Sequence, residues 1–237
     1  MTPVNWLSRL FYLKKPVFTE HAILSIEEQI RAWRKASKKM KWDIDEKELN
    51  GIDSPPSLTD SDLDEGFVDI ALFYGFGDDG TGYADSVLSG KVAWDYACKQ
   101  LKNKVWQSPH IDFDKYDSFR LRPGAPSRPK GFYFGKIQTG ERFQRMTVSQ
   151  VRRHFNSVTG CGPEGLQLIC ITHSHIPDMM SERKMPFMIL ADYDVAPYGY
   201  NDFFDTLQIF SSNRILGLGI GNVEQNYPGF EISAVLF

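Results

Sequence analysis

Two pairs of ionisable side chains, each with one residue between its members, are the part of the sequence best suited to chemistry. His173 and His175 follow one apolar run, and Asp192 and Asp194 end another. Residues two apart point to the same face of an extended strand. Imidazole and carboxylate groups together suit Zn²⁺, Mn²⁺ or Fe²⁺. We therefore expect His173, His175 and Asp192 to bind a divalent metal, with Asp194 as a further ligand or as the general base of a hydrolase.

The predicted metal site depends on the direction of the two apolar runs, which are residues 166–173 and 187–194. Both are apolar on both faces, which is typical of central strands. Parallel strands would place the two pairs at the same edge of the sheet, whereas antiparallel strands would place them at opposite ends. The connector, residues 176–186, is long enough for either arrangement. In the alternative interpretation, the histidines cap a strand and the aspartates begin a loop before Pro197.

A loop dense in rings and hydrogen-bonding groups follows the aspartates. Loops of this composition often line ligand pockets. The sequence therefore predicts a substrate pocket that contains Tyr198, Tyr200, Asn201 and Asp202. Aromatic residues at the start of a helix are also common in cores, so both interpretations stay open for this loop.

Three weaker motifs favour structural explanations. Residues 110–114 read HIDFD, which is half of a facial iron triad, but no apolar run continues from them, and an exposed edge strand explains them better. Residues 75–80 match GxGxxG, yet Asp78 and Asp79 would repel the pyrophosphate that a dinucleotide site must bind. Cys161 lies in a glycine-bounded turn after a predicted helix, where the helix dipole disfavours a thiolate.

The charge of the chain is distributed in blocks, although the formal net charge is only −3. Residues 1–41 carry nine Lys and Arg against three Asp and Glu, residues 43–69 carry one against ten, and residues 120–153 carry nine against one. Blocks of this kind form solvated faces, or pair within a fold, more often than they bind polyanions. The basic, aromatic stretch 119–134 also fits a loop and a half-buried strand, so nucleic-acid binding is disfavoured.

Periodicity and capping signals predict an α/β or α+β fold with a mixed sheet flanked by helices. A capping box at Ser25 predicts a helix over residues 26–41, and the acidic segment 43–65 is interpreted as a linker or a surface loop. Residues 1–65 are thus expected to form a helical N-terminal extension, and residues 66–237 a mixed domain. Within that domain we expect strands at 67–74, 131–138, 166–173, 187–194, 215–220 and 231–237, and helices at 84–101, 147–158 and 203–210.

Composition places the chain among globular proteins, since 42% of its 237 residues are hydrophobic and 24% are charged. A disordered chain and a small disulfide scaffold are excluded. Three cysteines without metal-binding spacing favour a reducing compartment. The sequence shows no signal-peptide pattern and no run of about 18 apolar residues, so we expect a cytoplasmic protein without a membrane span.

Two functions from different classes follow from these observations. The first is a metal-assisted hydrolase, or a related metal-dependent enzyme, built on the histidine and aspartate pairs. The second is a non-catalytic binding or protein-interaction module that uses the basic helix at residues 31–41 or the aromatic loop at residues 198–204. Its partner would be a small molecule or another protein.

Overall fold

The computed structural model of the protein describes residues 24–52, 54–76, 85–114, 119–138, 143, 146–153, 159–182, 187–196, 202–226 and 230–236. The helices in these ranges are α1 (Ile26–Met40), α2 (Glu46–Asn50), α3 (Asp60–Asp64), α4 (Asp85–Leu101), α5 (Val148–Arg152), α6 (Pro163–Gln167) and α7 (Ile176–Ser181). The strands are β1 (Phe67–Gly75), β2 (Val105–Gln107), β3 (Phe119–Leu121), β4 (Gly131–Gln138), β5 (Thr159–Gly160), β6 (Phe187–Val195), β7 (Asp205–Ser212), β8 (Ile215–Asn222) and β9 (Phe230–Leu236).

The strands form a mixed sheet, and the fold belongs to the α+β class. Their order is β1-β4-β9-β6-β7-β8-β2, with β3 paired to β6 and β5 paired to β9. Two pairs, β6 with β9 and β2 with β8, are parallel, and the other described pairs are antiparallel. The predicted mixed sheet is thus confirmed. The strands expected at 67–74, 131–138, 187–194, 215–220 and 231–237 appear as β1, β4, β6, β8 and β9.

The segment predicted as a strand over residues 166–173 is helical, so that prediction is wrong. It contains the end of α6 and a π-helical turn, Leu168–Thr172, in which the N–H of His173 donates to the carbonyl of Leu168 (2.6 Å). Every residue of α6 and of the turn is buried. A short run that is buried on all sides is apolar in a strand and in a helix alike, so its composition does not distinguish the two.

Residues 203–210, predicted as a helix, instead lead into strand β7. Leu207 and Ile209 are fully buried on the core side of β7, and the polar residues Thr206 and Gln208 alternate with them. Apolar and polar residues therefore alternate along β7 as in a strand. The two adjacent phenylalanines before β7 interrupt this alternation in the sequence. The helix predicted over 147–158 is present as α5, and its residues 154–158 lie outside the described ranges.

Helix α1 is held on the outer edge of β1 by polar side chains. Trp33 is fully buried, and its Nε1–H donates to the carbonyl of Leu72 (2.9 Å). Gln29 accepts from the N–H of Leu72 (2.8 Å) and donates to the carbonyl of Ile70 (2.9 Å). The helix predicted over 26–41 is confirmed, and its buried face shares the main core with the sheet. The domain boundary at residue 65 stays a prediction.

The two faces of the β6–β8 part of the sheet are covered unequally. The inner face contributes Met188, Leu207 and Leu218 to the main core, which also contains residues of α1 and α4. The opposite face, here called the outer face, carries a smaller cluster that includes Val151 of α5 and Ile189 of β6. The acidic segment 43–65 lies at the other end of the sheet and contains α2 and α3 within what was predicted to be a linker or surface loop.

Candidate functional site

Asp192, the predicted third metal ligand, is engaged by two arginines. Near this residue the pairing of β6 with β7 is interrupted, and the N–H of Asp192 donates to the carbonyl of Cys161 (3.2 Å). The Asp192 side chain is fully buried. Arg122 Nε donates to its Oδ1 (2.7 Å), and Arg128 Nη2 donates to its Oδ2 (2.9 Å). Both carboxylate oxygens therefore bind guanidinium groups of the chain itself.

Glu164 and Arg128 extend this network. Arg128 lies in the proline-rich loop before β4; its side chain is 3% exposed, and its Nε donates to Glu164 Oε1 (2.8 Å). The Glu164 carboxylate also accepts hydrogen bonds from the Tyr133 hydroxyl (3.0 Å) and from the N–H of Gly162 (3.0 Å). Burial opposes the charge of Arg128, but the neighbouring carboxylates outweigh that effect and raise its pKa. Burial, and then the charge of Glu164, holds the pKa of Tyr133 well above its usual range.

Asp194, the predicted general base, is bound by two further arginines. Arg152 Nη1 lies 2.9 Å from Asp194 Oδ1, and Arg120 Nε lies 3.5 Å from Oδ2. Arg152 also donates hydrogen bonds to two carbonyls of β6. The guanidinium of Arg120, half exposed, lies 3.8 Å from the ring centroid of Phe203, a stacking contact typical of arginine. Asp194 therefore links β3 to α5 and does not face solvent.

These groups form one network, here called the arginine–carboxylate cluster. It cross-links β3, the proline-rich loop, α5 and α6 to the end of β6. Burial of charged groups is tolerated when they are paired and hydrogen-bonded, and removal of one partner then leaves a costly uncompensated charge. We therefore interpret the cluster as a device that holds these segments together. Its members are Arg120, Arg122, Arg128, Arg152, Glu164, Asp192 and Asp194.

The two predicted histidine ligands lie apart from the two aspartates. His173 is 1% exposed; its Nε2 lies 2.9 Å from Asp69 Oδ2, and its Nδ1 hydrogen-bonds to the preceding threonine (2.9 Å). The ring of His175 lies beside it, with centroids 5.8 Å apart. Within the described ranges, no group of three or more His, Cys, Asp or Glu side chains is placed to hold a metal ion. The structure does not bring these histidines to Asp192, because they follow a helix that ends beside β1 and not a strand beside β6.

The structure describes one of the four residues of the predicted substrate pocket. Asp202 lies before β7 and is exposed. Phe203, the next residue, lies against the guanidinium of Arg120, and Phe204 is 59% exposed. The pocket stays a prediction, because its other members lie outside the described residues. Those members are Tyr198, Tyr200 and Asn201.

The weaker motifs contribute to the core where they are described. Cys161 is fully buried, and burial raises the pKa of its thiol well above the usual range, so the thiol stays neutral. Ile111 and Phe113, inside the HIDFD motif, are buried and adopt no strand conformation, so the expected exposed edge strand is wrong. Residues 77–80 of the GxGxxG motif lie outside the described ranges.

The aromatic residues of β4 also turn toward the protein interior. The ring of Phe132 lies 5.6 Å from that of Trp33 and 4.7 Å from that of Tyr74, measured between centroids. Tyr133 is buried against Phe73 at 5.7 Å. A single-stranded nucleic acid needs exposed rings on which its bases can stack. The rings of β4 in the basic, aromatic stretch 119–134 therefore do not form a surface on which bases could stack.

The surface of α1 that points away from β1 is basic. This basic face consists of Arg31, Lys35, Lys38 and Lys39, all of which are exposed. Arg31 lies 4.0 Å from Glu28, an exposed contact that contributes little. Neither Lys35 nor Lys38 forms an ion pair with another residue that the structure describes. The sequence located this face correctly, through the amphipathic pattern of the helix.

No described helix is long and apolar enough to cross a membrane. Comparisons of the chain with protein-family models, with curated proteins and with solved structures found no match.

Proposed function

We propose that the protein is a non-catalytic binding protein that recognises an acidic segment of a partner protein through the basic face of α1. One observation carries this proposal: α1 is fixed to the sheet by its opposite side, and no carboxylate that the structure describes pairs with Lys35 or Lys38 on the basic face. Fixed cations that lack internal partners favour association with an anionic surface.

The anchoring of α1 makes the basic face a rigid surface. Trp33 and Ala36 are fully buried between α1 and the rest of the core, and the Gln29 carboxamide is fully buried against β1. A capping box at Ser25 fixes the first turn of the helix, since Ser25 and Glu28 hydrogen-bond reciprocally. Little conformational entropy is therefore lost by the helix backbone when a partner binds.

The basic surface continues from α1 onto the end of α4. Lys39 Nζ donates to Gln100 Oε1 (2.8 Å), and Lys99 Nζ donates to the carbonyl of Lys39 (2.9 Å). Both contacts involve neutral acceptors, so they add no negative charge beside the two lysines. An extended acidic segment that crosses α1 would thus meet a further cation on α4.

The charges around this surface favour a short acidic segment of a protein over a nucleic acid. Helix α2 lies next to α1, and an ion pair joins the two helices: Arg34 Nε lies 3.1 Å from Glu46 Oε2. Glu46 and Glu48 would repel a long polyanion that continued past the basic face. The aromatic residue of α1 that could stack on bases, Trp33, is buried. A short row of carboxylates can match Lys35, Lys38 and Lys39 without reaching Glu46 and Glu48, whereas Arg31 already lies 4.0 Å from Glu28.

A binding experiment tests the proposal directly. A fluorescein-labelled oligoglutamate peptide, titrated with the full chain, should show saturable anisotropy that weakens as salt is added. The variant Lys35→Glu/Lys38→Glu/Lys39→Glu should lose about tenfold or more in affinity, since each lost contact is worth a few tenths of a kcal/mol and each reversal adds repulsion.

A matched variant controls for net charge. Lys130→Glu/Arg153→Glu/Arg214→Glu makes the same charge change at exposed positions elsewhere, and it should retain most of the affinity. Circular dichroism and thermal melts confirm that both variants fold. Equal losses in the two variants, or tighter binding of a DNA oligonucleotide or of anionic phospholipid vesicles than of the peptide, contradict the proposal.

A further inference from the structure

The two outer strands of the sheet differ in how their free backbone edges are closed. At β1, the side chains of Gln29, Trp33 and Gln167 hydrogen-bond to the backbone groups that no strand pairs. At β2, the opposite outer strand, no described residue provides an equivalent hydrogen bond. Natural sheets block free edges because an open edge pairs readily with another chain.

The backbone groups of β2 that point outward can be identified from its pairing. β2 is parallel to β8, with Val105 opposite Leu216 and Gln107 opposite Leu218. The N–H of Ser108 donates to the carbonyl of Leu218 (2.9 Å). Alternate residues of a parallel strand direct their backbone groups to the same neighbour. Trp106 and Ser108 therefore face β8, whereas Val105 and Gln107 turn their N–H and C=O groups to the free edge.

Strand β2 has one of the usual features that protect an edge, its length of only three residues, but the strand itself lacks two others. The strand reads VWQ and contains no charged residue and no proline. Trp106 is 47% exposed on the outer face, where its ring lies 5.7 Å from that of Phe210. Hydrogen bonds to Trp94 and to the carbonyl of Ile111 fix the Gln107 side chain on the inner side. Within the described ranges, no residue hydrogen-bonds to the outward backbone groups of Val105 and Gln107.

We infer that the free edge of β2 pairs with the same edge of a second copy of this chain. In an antiparallel pair, Val105 would exchange two hydrogen bonds with the partner's Gln107, and Gln107 would do the same with the partner's Val105. Trp106 then lies directly opposite the partner's Trp106, on the twofold axis. This position is a non-hydrogen-bonded one, where side chains come closest and aromatic pairs stabilise a sheet.

The charges at the two ends of β2 match this antiparallel arrangement. Lys102 and Lys104 precede the strand, and Asp112 and Asp114 follow it. Antiparallel pairing brings the lysines of each copy to the acidic end of the other copy. Parallel pairing would instead place like charges together. The chain is therefore self-complementary in one direction only.

The oligomeric state of charge variants at position 106 tests this inference. Sedimentation velocity of the unmodified chain at about 100 μM should show a dimer, because that concentration populates any dimer that dissociates in the micromolar range. Trp106→Glu and Trp106→Lys should each be monomeric, since each places two like charges on the twofold axis. An equimolar mixture of the two variants should again form a dimer. A monomeric unmodified chain, or variants that dimerise as well as it does, would overturn the inference.

A cross-linking variant tests the register independently of stability. Opposite residues at a non-hydrogen-bonded position have Cα atoms about 4.5 Å apart, which a disulfide can bridge. Trp106→Cys in a Cys98→Ser background should therefore form a covalent dimer on mild oxidation. Leu63→Cys in the same background serves as the control, because Leu63 is 55% exposed and lies before β1, the opposite outer strand. Equal cross-linking of the two variants, or none at position 106, contradicts the proposed pairing.

Discussion

The carboxamide of Gln167 pairs with both backbone groups of Tyr74. Gln167 Oε1 accepts from the N–H of Tyr74 (2.9 Å), and Gln167 Nε2 donates to the carbonyl of the same residue (2.8 Å). The side chain thus takes the place of a neighbouring strand at the edge of β1. Gln167 is fully buried at the end of α6, and the four residues that follow it, Leu168–Ile171, are apolar. Its Nε2 also lies 3.5 Å from the carbonyl of Ser89, so contacts with backbone groups explain why this buried side chain is polar.

We expect Gln167→Leu to lower the free energy of unfolding by about 2 kcal/mol or more. Leucine fills a similar volume but leaves a donor and an acceptor of β1 without partners, and each such buried group costs roughly 1–3 kcal/mol. Urea denaturation followed by tryptophan fluorescence measures the change. Gln225→Leu, at an exposed position, should change stability by less than about 0.5 kcal/mol. Similar effects of the two substitutions would show that the contact with Tyr74 contributes little.

Substitution of Arg128 should destabilise the fold severely. Arg128→Met leaves Glu164 without its guanidinium partner and removes one of two from Asp192, both in fully buried positions. Loss of one member of a buried ion pair costs roughly 3–5 kcal/mol. The double variant Arg128→Met/Glu164→Gln should be more stable than the sum of the two single changes predicts, because both single changes remove the same ion pair. Additive losses in urea denaturation would contradict the coupling.

Acid should remove a stabilising contribution of Asp62. Hydrogen bonds from Lys136 and Thr59 lower the pKa of Asp62 from its ordinary value of 3.8 to about 2. Since the folded pKa is the lower one, the contribution is complete above pH 4 and disappears as the pH falls toward 2. The stability difference between the unmodified chain and Asp62→Asn should therefore shrink over that interval. An NMR titration of the Asp62 carboxyl provides the second measurement, and Lys136→Met should move its midpoint upward.

Alkylation should distinguish Cys98 from the other two cysteines. Cys161 and Cys170 are buried, and burial raises the pKa of both thiols. Cys98 is only half-buried, although burial and then the charge of Asp95 raise its pKa as well. Iodoacetamide should therefore modify Cys98 first in the native protein, and all three residues after denaturation. Peptide mass spectrometry identifies the modified residue, and rapid native labelling of Cys161 would contradict its burial.

Local patterns in the sequence predicted much of the fold. The capping boxes at Ser25 and Thr147 are formed with both reciprocal hydrogen bonds, and each begins a helix. These signals depend on residues three apart, so they are visible without tertiary information. The apolar segment 166–173 gave no such signal, because burial on every side removes the periodicity that separates a helix from a strand. Its neighbours in space, and not its composition, make it helical.

The candidate site was much less predictable, because its contacts join distant parts of the chain. Asp192 and Asp194 were recognisable by their spacing, but Arg122 lies 70 residues from Asp192 in sequence, and Arg128 lies 36 residues from Glu164. His173 and Asp69 are 104 residues apart. No local pattern connects such residues, so the sequence could indicate ionisable groups but not their partners. The basic face of α1 was accessible to prediction because a single helix contains it.

The residues that close the edge of β1 leave the ribosome at different times during synthesis. Gln29 and Trp33 precede the strand and can shield its first half as soon as α1 and β1 have left the ribosome. Tyr74 must wait for Gln167, which lies 93 residues later. At a synthesis rate of 5–20 residues per second, that delay is roughly 5 to 20 s. During this interval the Tyr74 end of β1 is an uncovered strand edge on a growing chain, and unpaired edges of this kind favour aggregation unless a chaperone shields them.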